Sequence, residues 1–340
     1  MKVSVIAVSE LDAGLFARWQ AIRGTCPVYG RPFYHPAFTQ LMARHRPRTR
    51  VAVVEDAGSI CGFLPHEVDT RGRLLQVGLF LNDYHGMIAA PEQPIPVGQL
   101  LRACKAWYWH FDHMPTAFCS TRPWVAELSV SPYMDFAGGF SQYVERLTRY
   151  QQANKTPGVV ASVRKSANRL KRDIGDLHFV WARPQADLLD WIMRLKSMQW
   201  HRSGRPQDDA FAIAWVRALM ADALHFNQGE FSGTLSVLYA GERLVAAHFG
   251  FSDAGHQTLH GSFATFDPEL GYYMPGSILI HQFAEHGAGH RKGCRRLGAL
   301  PRLVGVPVHE VGALMTHHTG QLRDRLHPCH QAEVEIQAAI

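Results

Sequence analysis

Two meanders of short antiparallel strands, spaced half the chain apart, constrain this sequence more than any other feature. The first reads Thr49–Glu55, Ile60–Val68 and Arg73–Phe80, broken at Asp56-Ala57-Gly58-Ser59 and Asp69–Gly72. The second reads Thr234–Tyr239, Arg243–Ser252 and His256–Phe266, broken at Ala240-Gly241-Glu242 and Asp253-Ala254-Gly255. Both are β-rich runs punctuated by glycine-containing turns, and each follows a helical segment, Pro36–His45 or Ala210–Phe226. A unit repeated at this distance argues for a duplicated α/β architecture. At 340 residues the chain also exceeds what one hydrophobic core ordinarily holds.

Between the meanders, Leu100–His110 reads as helix, Phe140–Tyr150 as a further segment, and residues 151–160 as the linker. Beyond it, Leu177–Trp181 reads as a strand. Ala186–Trp200 reads as an amphipathic helix, with Leu188, Leu189, Ile192, Leu195 and Met198 in helical register. Trp191 and Trp200 read as packing residues. Ser277–Glu285 reads as a helix opened by Pro275-Gly276. The division expected is 1–150, a linker over 151–160, 161–300, and a compositionally odd segment over 301–340 that returns to the N-terminal unit.

Charge is concentrated. From Arg146 to Arg205 there are 13 Lys or Arg against 4 Asp or Glu, more than the whole-chain balance of +6. At its centre Lys165, Arg169 and Arg172 share one helical face, flanked by Arg164 and Lys171, with Ser162 as expected N-cap and Gly175 as stop. Such a face is either a solvated surface or an anion site, and cations this dense repel one another unless an anion is near. Elsewhere the composition excludes several classes. No apolar run approaches the ~20 residues of a membrane helix, and Val3–Val8 is too short for a signal peptide. Cys26, Cys61, Cys104, Cys119, Cys294 and Cys329 lack any C-x-x-C spacing and read as reduced thiols. His286 and His290 are four apart, but Gly287 and Gly289 make poor helix between them, and no metal is expected. Neither a nucleophile elbow nor a P-loop is present. A soluble, cytoplasmic protein without integral membrane insertion is the expectation; oligomeric state is not legible.

Three motifs carry a resemblance. The first is the basic helix, similar to a Ser-x-x-x-Arg followed by paired basic residues. The second is the hairpin Leu238-Tyr239-Ala240-Gly241-Glu242-Arg243-Leu244-Val245-Ala246-Ala247. The third is Ala264-Thr265-Phe266-Asp267-Pro268-Glu269 followed by Tyr273-Met274-Pro275-Gly276-Ser277-Ile278-Leu279, with Phe80-Leu81-Asn82-Asp83-Tyr84-His85-Gly86 in the first half. In this order they resemble the FemAB/CelD-like branch of the GNAT acyltransferase superfamily, over residues 50–290. CelD-type proteins are linked to cellulose and exopolysaccharide synthesis. The resemblance implies tandem GNAT-like domains, each a mixed, mostly antiparallel sheet flanked by helices, the first degenerate. It also implies acyl transfer from a thioester or an aminoacyl-tRNA. After Gly289 the family's Asp-bearing strand and Gly-x-x-x-x-Lys stretch are missing; Arg291–Pro301 stands there instead.

Acyl transfer needs an anchored donor, a polarised carbonyl and a deprotonated acceptor. The candidate donor anchor is Tyr273, Met274, Pro275, Gly276 and Ser277, where a helix begins directly after a strand and its N–H groups can meet phosphate. The Gln/Arg-x-x-Gly-x-Gly/Ala loop of acetyl-CoA users is absent, which keeps aminoacyl-tRNA open beside acetyl-CoA or another acyl-CoA. Asp267 is the first candidate base and His260, in the preceding strand, the alternative. Asp83 and Tyr84 are expected to meet the acceptor, and Arg164, Arg169 and Arg172 to bind substrate. The expected activity is acyl-CoA-dependent N- or O-acylation of an amino sugar or related precursor in extracellular-polysaccharide synthesis. The alternatives are a FemX-like aminoacyl transferase on peptidoglycan precursors, and a non-catalytic nucleotide-sensing relative.

Overall fold

The computed structural model describes residues 1–90, 93–115, 125–131, 133–136, 138–153, 155, 158–181, 185–289, 296–298 and 315–323. In the first half, β1 (Lys2–Ala7) leads to α1 (Ala13–Arg23), whose first turn is capped by the Asp12 carboxylate accepting from Leu15 N at 2.8 Å. Next, α2 (Pro36–His45) begins with proline at its first position and the His35 ring accepting from Ala37 N. The first meander follows as β2 (Arg50–Asp56), β3 (Ser59–Val68) and a short β4 (Arg73–Leu75). The expected strand to Phe80 stops at Leu75, because Gly78 and Leu79 turn to φ 78° and 51° and open a 3-10 turn over Leu79–Leu81.

Then come β5 (Ile88–Ala89), α3 (Val97–Ala103), β6 (Tyr108–Pro115), β7 (Val125–Ser131) and β8 (Tyr133–Asp135). The helix expected over Leu100–His110 ends at Ala103. Lys105 takes φ 55°, and the aromatic run from Tyr108 prefers a pleated surface. Helix α4 (Gly139–Ala153) reaches into the expected linker. The basic helix α5 (Val159–Asp173) starts after Gly158, so Ser162 lies inside its first turn rather than at its N-cap. Gly175, at φ 151°, follows its end, where an added Cβ would lie 2.8 Å from Gly241 N.

The second half continues with β9 (Leu177–Val180), α6 (Ala186–Arg202), α7 (Ala214–His225), β10 (Asn227–Gln228), β11 (Phe231–Ala240), β12 (Arg243–Asp253) and β13 (Thr258–Phe266). After a 3-10 stretch over Pro268–Tyr273 come α8 (Pro275–Gly289), β14 (Arg296–Gly298) and β15 (Met315–Arg323). Helix α7 starts later than expected because Asp209 caps a separate 3-10 turn over Ala210–Ala212.

The expected α/β fold holds: two sheets, both mostly antiparallel and flanked by helices. One runs β1-β2-β3-β4-β6-β15-β7 with β5 on β3, and the other β10-β11-β12-β13-β14-β8 with β9 on β11. The halves interleave. Strand β8 pairs with β14 in the second sheet, while β15 lies between β6 and β7 in the first. The largest core also draws on both halves, packing Trp19, Phe33, Phe38 and Leu41 with Leu219, Phe231, Phe249 and Phe251. Within this interface the fully buried Arg23 guanidinium meets the fully buried Asp253 carboxylate, and Thr258 Oγ1 donates to Gly30 O at 2.6 Å. Residues 301–314 and 324–340 of the expected C-terminal segment lie outside the described residues, as do Cys119, Cys294 and Cys329. Among the described residues no helix is long and apolar enough to cross a membrane, and Cys26, Cys61 and Cys104 are free thiols.

Candidate active site on a strand of the second sheet

Strand β13 is the axis of the candidate site. Its antiparallel register with β12 slips between Phe249 and Gly250: Phe249 faces Phe263, but Gly250 faces Gly261, so Ser262 is the extra residue of a bulge. On the other edge, β14 pairs in parallel with Thr258, Leu259 and His260 alone among the described residues. Main-chain groups alternate along a strand, and Asp267 N donates to Val245 O of β12. Ala264 therefore turns its N–H and C=O away from β12. Gly250 is required at the bulge, since a Cβ there would strike the His260 carbonyl.

Beside this bulge the structure brings together two candidate residues that lie far apart in sequence. His260 Nε2 and Asp83 Oδ2 are 2.6 Å apart. The His260 side chain is 1% exposed and the Asp83 side chain 43%, so the carboxylate spans the boundary between core and solvent. Asp83 is presented by a pinned loop: Asn82 Nδ2 donates to Val77 O, and Asn82 Oδ1 accepts from Tyr84 N. The rings of Phe33 and Tyr84 close on the imidazole edge-on, at 4.5 and 5.7 Å between centroids, and Arg31 lies over Tyr84. With Nε2–H given to the carboxylate, Nδ1 carries the lone pair. Nδ1 and the Ser262 hydroxyl are both buried without a hydrogen-bond partner among the described residues. Buried polar atoms are usually satisfied, and these two unmet atoms lie at or beside one bulge.

Asp267 lies at the other end of β13, about 23 Å along the strand from His260 at ~3.3 Å per residue. Its two oxygens are occupied: Oδ2 accepts from Arg243 Nε and NH2 at 3.0 and 2.7 Å, and Oδ1 accepts from Glu269 N. It caps the 3-10 stretch and walls an open groove of about 540 Å³ with Pro268, Glu269 and the α6 residues Trp191, Arg194, Leu195, Met198 and Arg202. Asp267 therefore lines this groove, while His260, buried at the start of the same strand, does not. Trp200 packs on Phe211 and Phe263, while Trp191 has one face on the core and one on the groove, a placement that periodicity alone does not reveal.

The candidate donor anchor starts where Met274 takes the left-handed conformation, at φ 56°. Pro275, Gly276 and Ser277 are buried. Met274 N donates to Gly271 O, and Ser277 N and Ile278 N both donate to Met274 O, so these amides are spent within the turn. Helix α5 packs beside this corner. Ser166 approaches the Met274 sulfur, and Arg169 donates to the Tyr272 hydroxyl at 2.6 Å with its guanidinium 4.7 Å over a ring that is 71% exposed. Arg172 pairs with Asp173, which also accepts from Tyr273, and Lys171 pairs with Asp176, while Arg164 and Lys165 are exposed. The cationic face is thus joined by an exposed aromatic ring from elsewhere in the chain.

Residues 159–301 match the family model of the acetyltransferase (GNAT) domain. The whole chain is similar to several solved structures. One is a tandem GNAT protein from the clavulanic acid biosynthesis pathway, 10% identical, TM-score 0.48, covering 95% of this chain and 98% of that one. Another is FemX, 8% identical, TM-score 0.48, covering 80% and 87%. A third is the C-terminal domain of a putative lysylphosphatidylglycerol synthetase from Agrobacterium fabrum, 12% identical, TM-score 0.46, covering 84% and 76%. No curated protein sequence matches the chain.

Proposed function

We propose that this chain transfers an acyl group from acyl-CoA to the amine or hydroxyl of an amino sugar or related precursor in extracellular-polysaccharide synthesis, with the Asp83–His260 pair as its base. The observation that carries the reading is a buried imidazole at the bulge, clamped on one nitrogen by a carboxylate and unpartnered on the other. Asp83 holds the proton on Nε2 and stabilises the imidazolium that forms when Nδ1 accepts the acceptor's proton. The acyl carbonyl lies along β13, where an N–H turned from β12, such as that of Ala264, can receive the developing oxyanion. The carrier then extends toward Asp267 and the α8 corner, and the acceptor enters from the Asp83 side, where the carboxylate reaches solvent. A screen of acyl-CoA donors with amino-sugar acceptors, read by free-thiol release, tests this reading. Turnover that disappears in Asp83→Asn supports it, and absence of turnover with every donor defeats it.

A second reading rests on Arg169 and Tyr272. Exposed stacking surface beside Arg164 and Lys165 is what a single-stranded RNA end would use, with an aminoacyl ester in place of the thioester. A tRNA-dependent gel shift that weakens steeply with salt and is lost in Tyr272→Ala favours this donor.

A further inference from the structure

Helix α6 presents one stripe to the groove beside Asp267. Trp191, Arg194, Leu195, Met198 and Arg202 stand at helical spacing, which brings them to a single face. At ~1.5 Å per residue the stripe runs about 16 Å, with its two arginine positions about 12 Å apart. The order along it is a ring, a cation, an apolar pair and a second cation. Asp267, Pro268 and Glu269 form the facing wall.

The charges on the two walls are in different states. Asp267 and Glu269 share Arg243, which donates to both. Arg194 and Arg202 are exposed and form no side-chain hydrogen bond or ion pair among the described residues, although Asp190 stands one turn ahead of Arg194. Arg205, just past the helix, is paired with Asp208. With the facing carboxylates held by Arg243, the groove keeps one positive charge in excess and two guanidiniums with unspent donors. Trp191 packs one face on the core, and among the described residues no other aromatic ring stacks on it. Glu269 gives Oε2 to Arg243 and keeps Oε1 unengaged among the described residues, on a side chain that reaches solvent.

We propose that this groove is a binding site for a nucleoside diphosphate. The base stacks on the open face of Trp191, and Arg194 and Arg202 swing toward each other onto the diphosphate as forked, charge-assisted donors. A ribose hydroxyl donates to Glu269 Oε1. The groove's volume, about 540 Å³, lies within the ~300–1,000 Å³ of sites for ligands of this size. A bare phosphate would leave Trp191 unused, and a neutral ring would leave both guanidiniums unused. The helix start at Met274–Ser277 offers no rival phosphate site, since its amides are spent within its own turn. His260 does not line the groove, so the assignment is read by binding alone and is separate from the acyl-transfer reading.

Isothermal titration of the full-length protein with ADP and UDP tests it, with adenosine and inorganic pyrophosphate as the two halves of the ligand. Coenzyme A, which carries the same diphosphate, is titrated beside them. Its binding, with the same dependence on the variants below, makes a carrier the source; binding of ADP or UDP alone makes it a free nucleotide. Either supports the site. The diphosphate ligand should bind about 10-fold or more tighter than either half, and Trp191→Ala should weaken it by about 10-fold. Arg194→Gln/Arg202→Gln should weaken it by about 10-fold or more and flatten its dependence on salt. Both arginines are exposed, so this pair tests the site with the fold intact, and Trp191→Phe, which keeps a ring, should retain most of the binding. Absence of binding by every diphosphate, or binding that survives the arginine pair, would overturn the assignment. Binding lost in Tyr272→Ala but kept in Trp191→Ala would overturn it too, by moving the nucleotide to the basic helix.

Discussion

Replacing Lys196 with methionine should make the protein more stable, and the size of the effect follows from where the ammonium lies. Burial lowers this group from 10.5 to about 8, a shift that costs the folded state about 3 kcal/mol at neutral pH, at 1.36 kcal/mol per unit. Methionine fills a similar volume without charge. It leaves Gln199 Oε1 and Ala264 O without a donor, which returns about 1 kcal/mol of the gain. A net stabilisation of about 2 kcal/mol is expected at pH 7. Its pH dependence fixes the cause. Below pH 8 both folded and unfolded chains carry the proton, and the full penalty applies. Between pH 8 and 10.5 the unfolded chain binds one more proton than the folded one, so wild-type stability rises with pH relative to the variant. Equilibrium urea unfolding at pH 7, 8.5 and 10 measures both proteins, and the difference should shrink steadily across the series. A variant less stable than wild type at pH 7, with a difference that does not move with pH, would refute the reasoning.

Acid should unfold the protein through three buried histidines. Burial holds His35 at about 3, His66 at about 4 and His248 at about 3, all below the ordinary 6.5. Their neutral forms support the fold fully above pH 6.5 and progressively less as pH falls. By pH 5 the three together should cost about 6 kcal/mol, and in acid titrations followed by circular dichroism His248→Phe should lower the proton uptake on unfolding by one. At the interface between the halves, Asp253→Ala should cost about 3–5 kcal/mol in urea unfolding, because it strands the buried Arg23 guanidinium. Arg23→Met/Asp253→Leu together should recover most of that loss.

The parts of the fold governed by local chemistry were legible in the residues. Turn glycines and β-rich runs mark both meanders, proline at position 36 marks the start of α2, and apolar spacing marks α6. Where the sequence reading stopped, distant packing had decided. The strand beginning at Tyr108 was hidden by helical residues just before it. Strands β8 and β15 belong to sheets formed by the opposite half of the chain, which no local pattern encodes. The candidate site divides in the same way. Asp83 and His260 each stand out by residue type, but their 2.6 Å contact joins residues 177 apart in sequence. Asp267 is prominent beside Pro268, yet its oxygens serve Arg243 and the following turn. Lys196 was silent because a lysine within an amphipathic helix reads as surface until the carbonyl it meets is known. Tyr272, next to the basic helix only in three dimensions, was silent for the same reason.

The central claim is that the buried His260 imidazole, held by Asp83, accepts the proton of the attacking group. Acyl transfer followed by thiol release in wild type, His260→Gln and Asp83→Asn tests it most directly, the Asp83 variant altering a half-exposed carboxylate outside the core. The account predicts losses of about 10²–10⁴-fold in kcat for both variants, with intact circular dichroism and little change in donor affinity. Wild-type turnover in folded His260→Gln would contradict it.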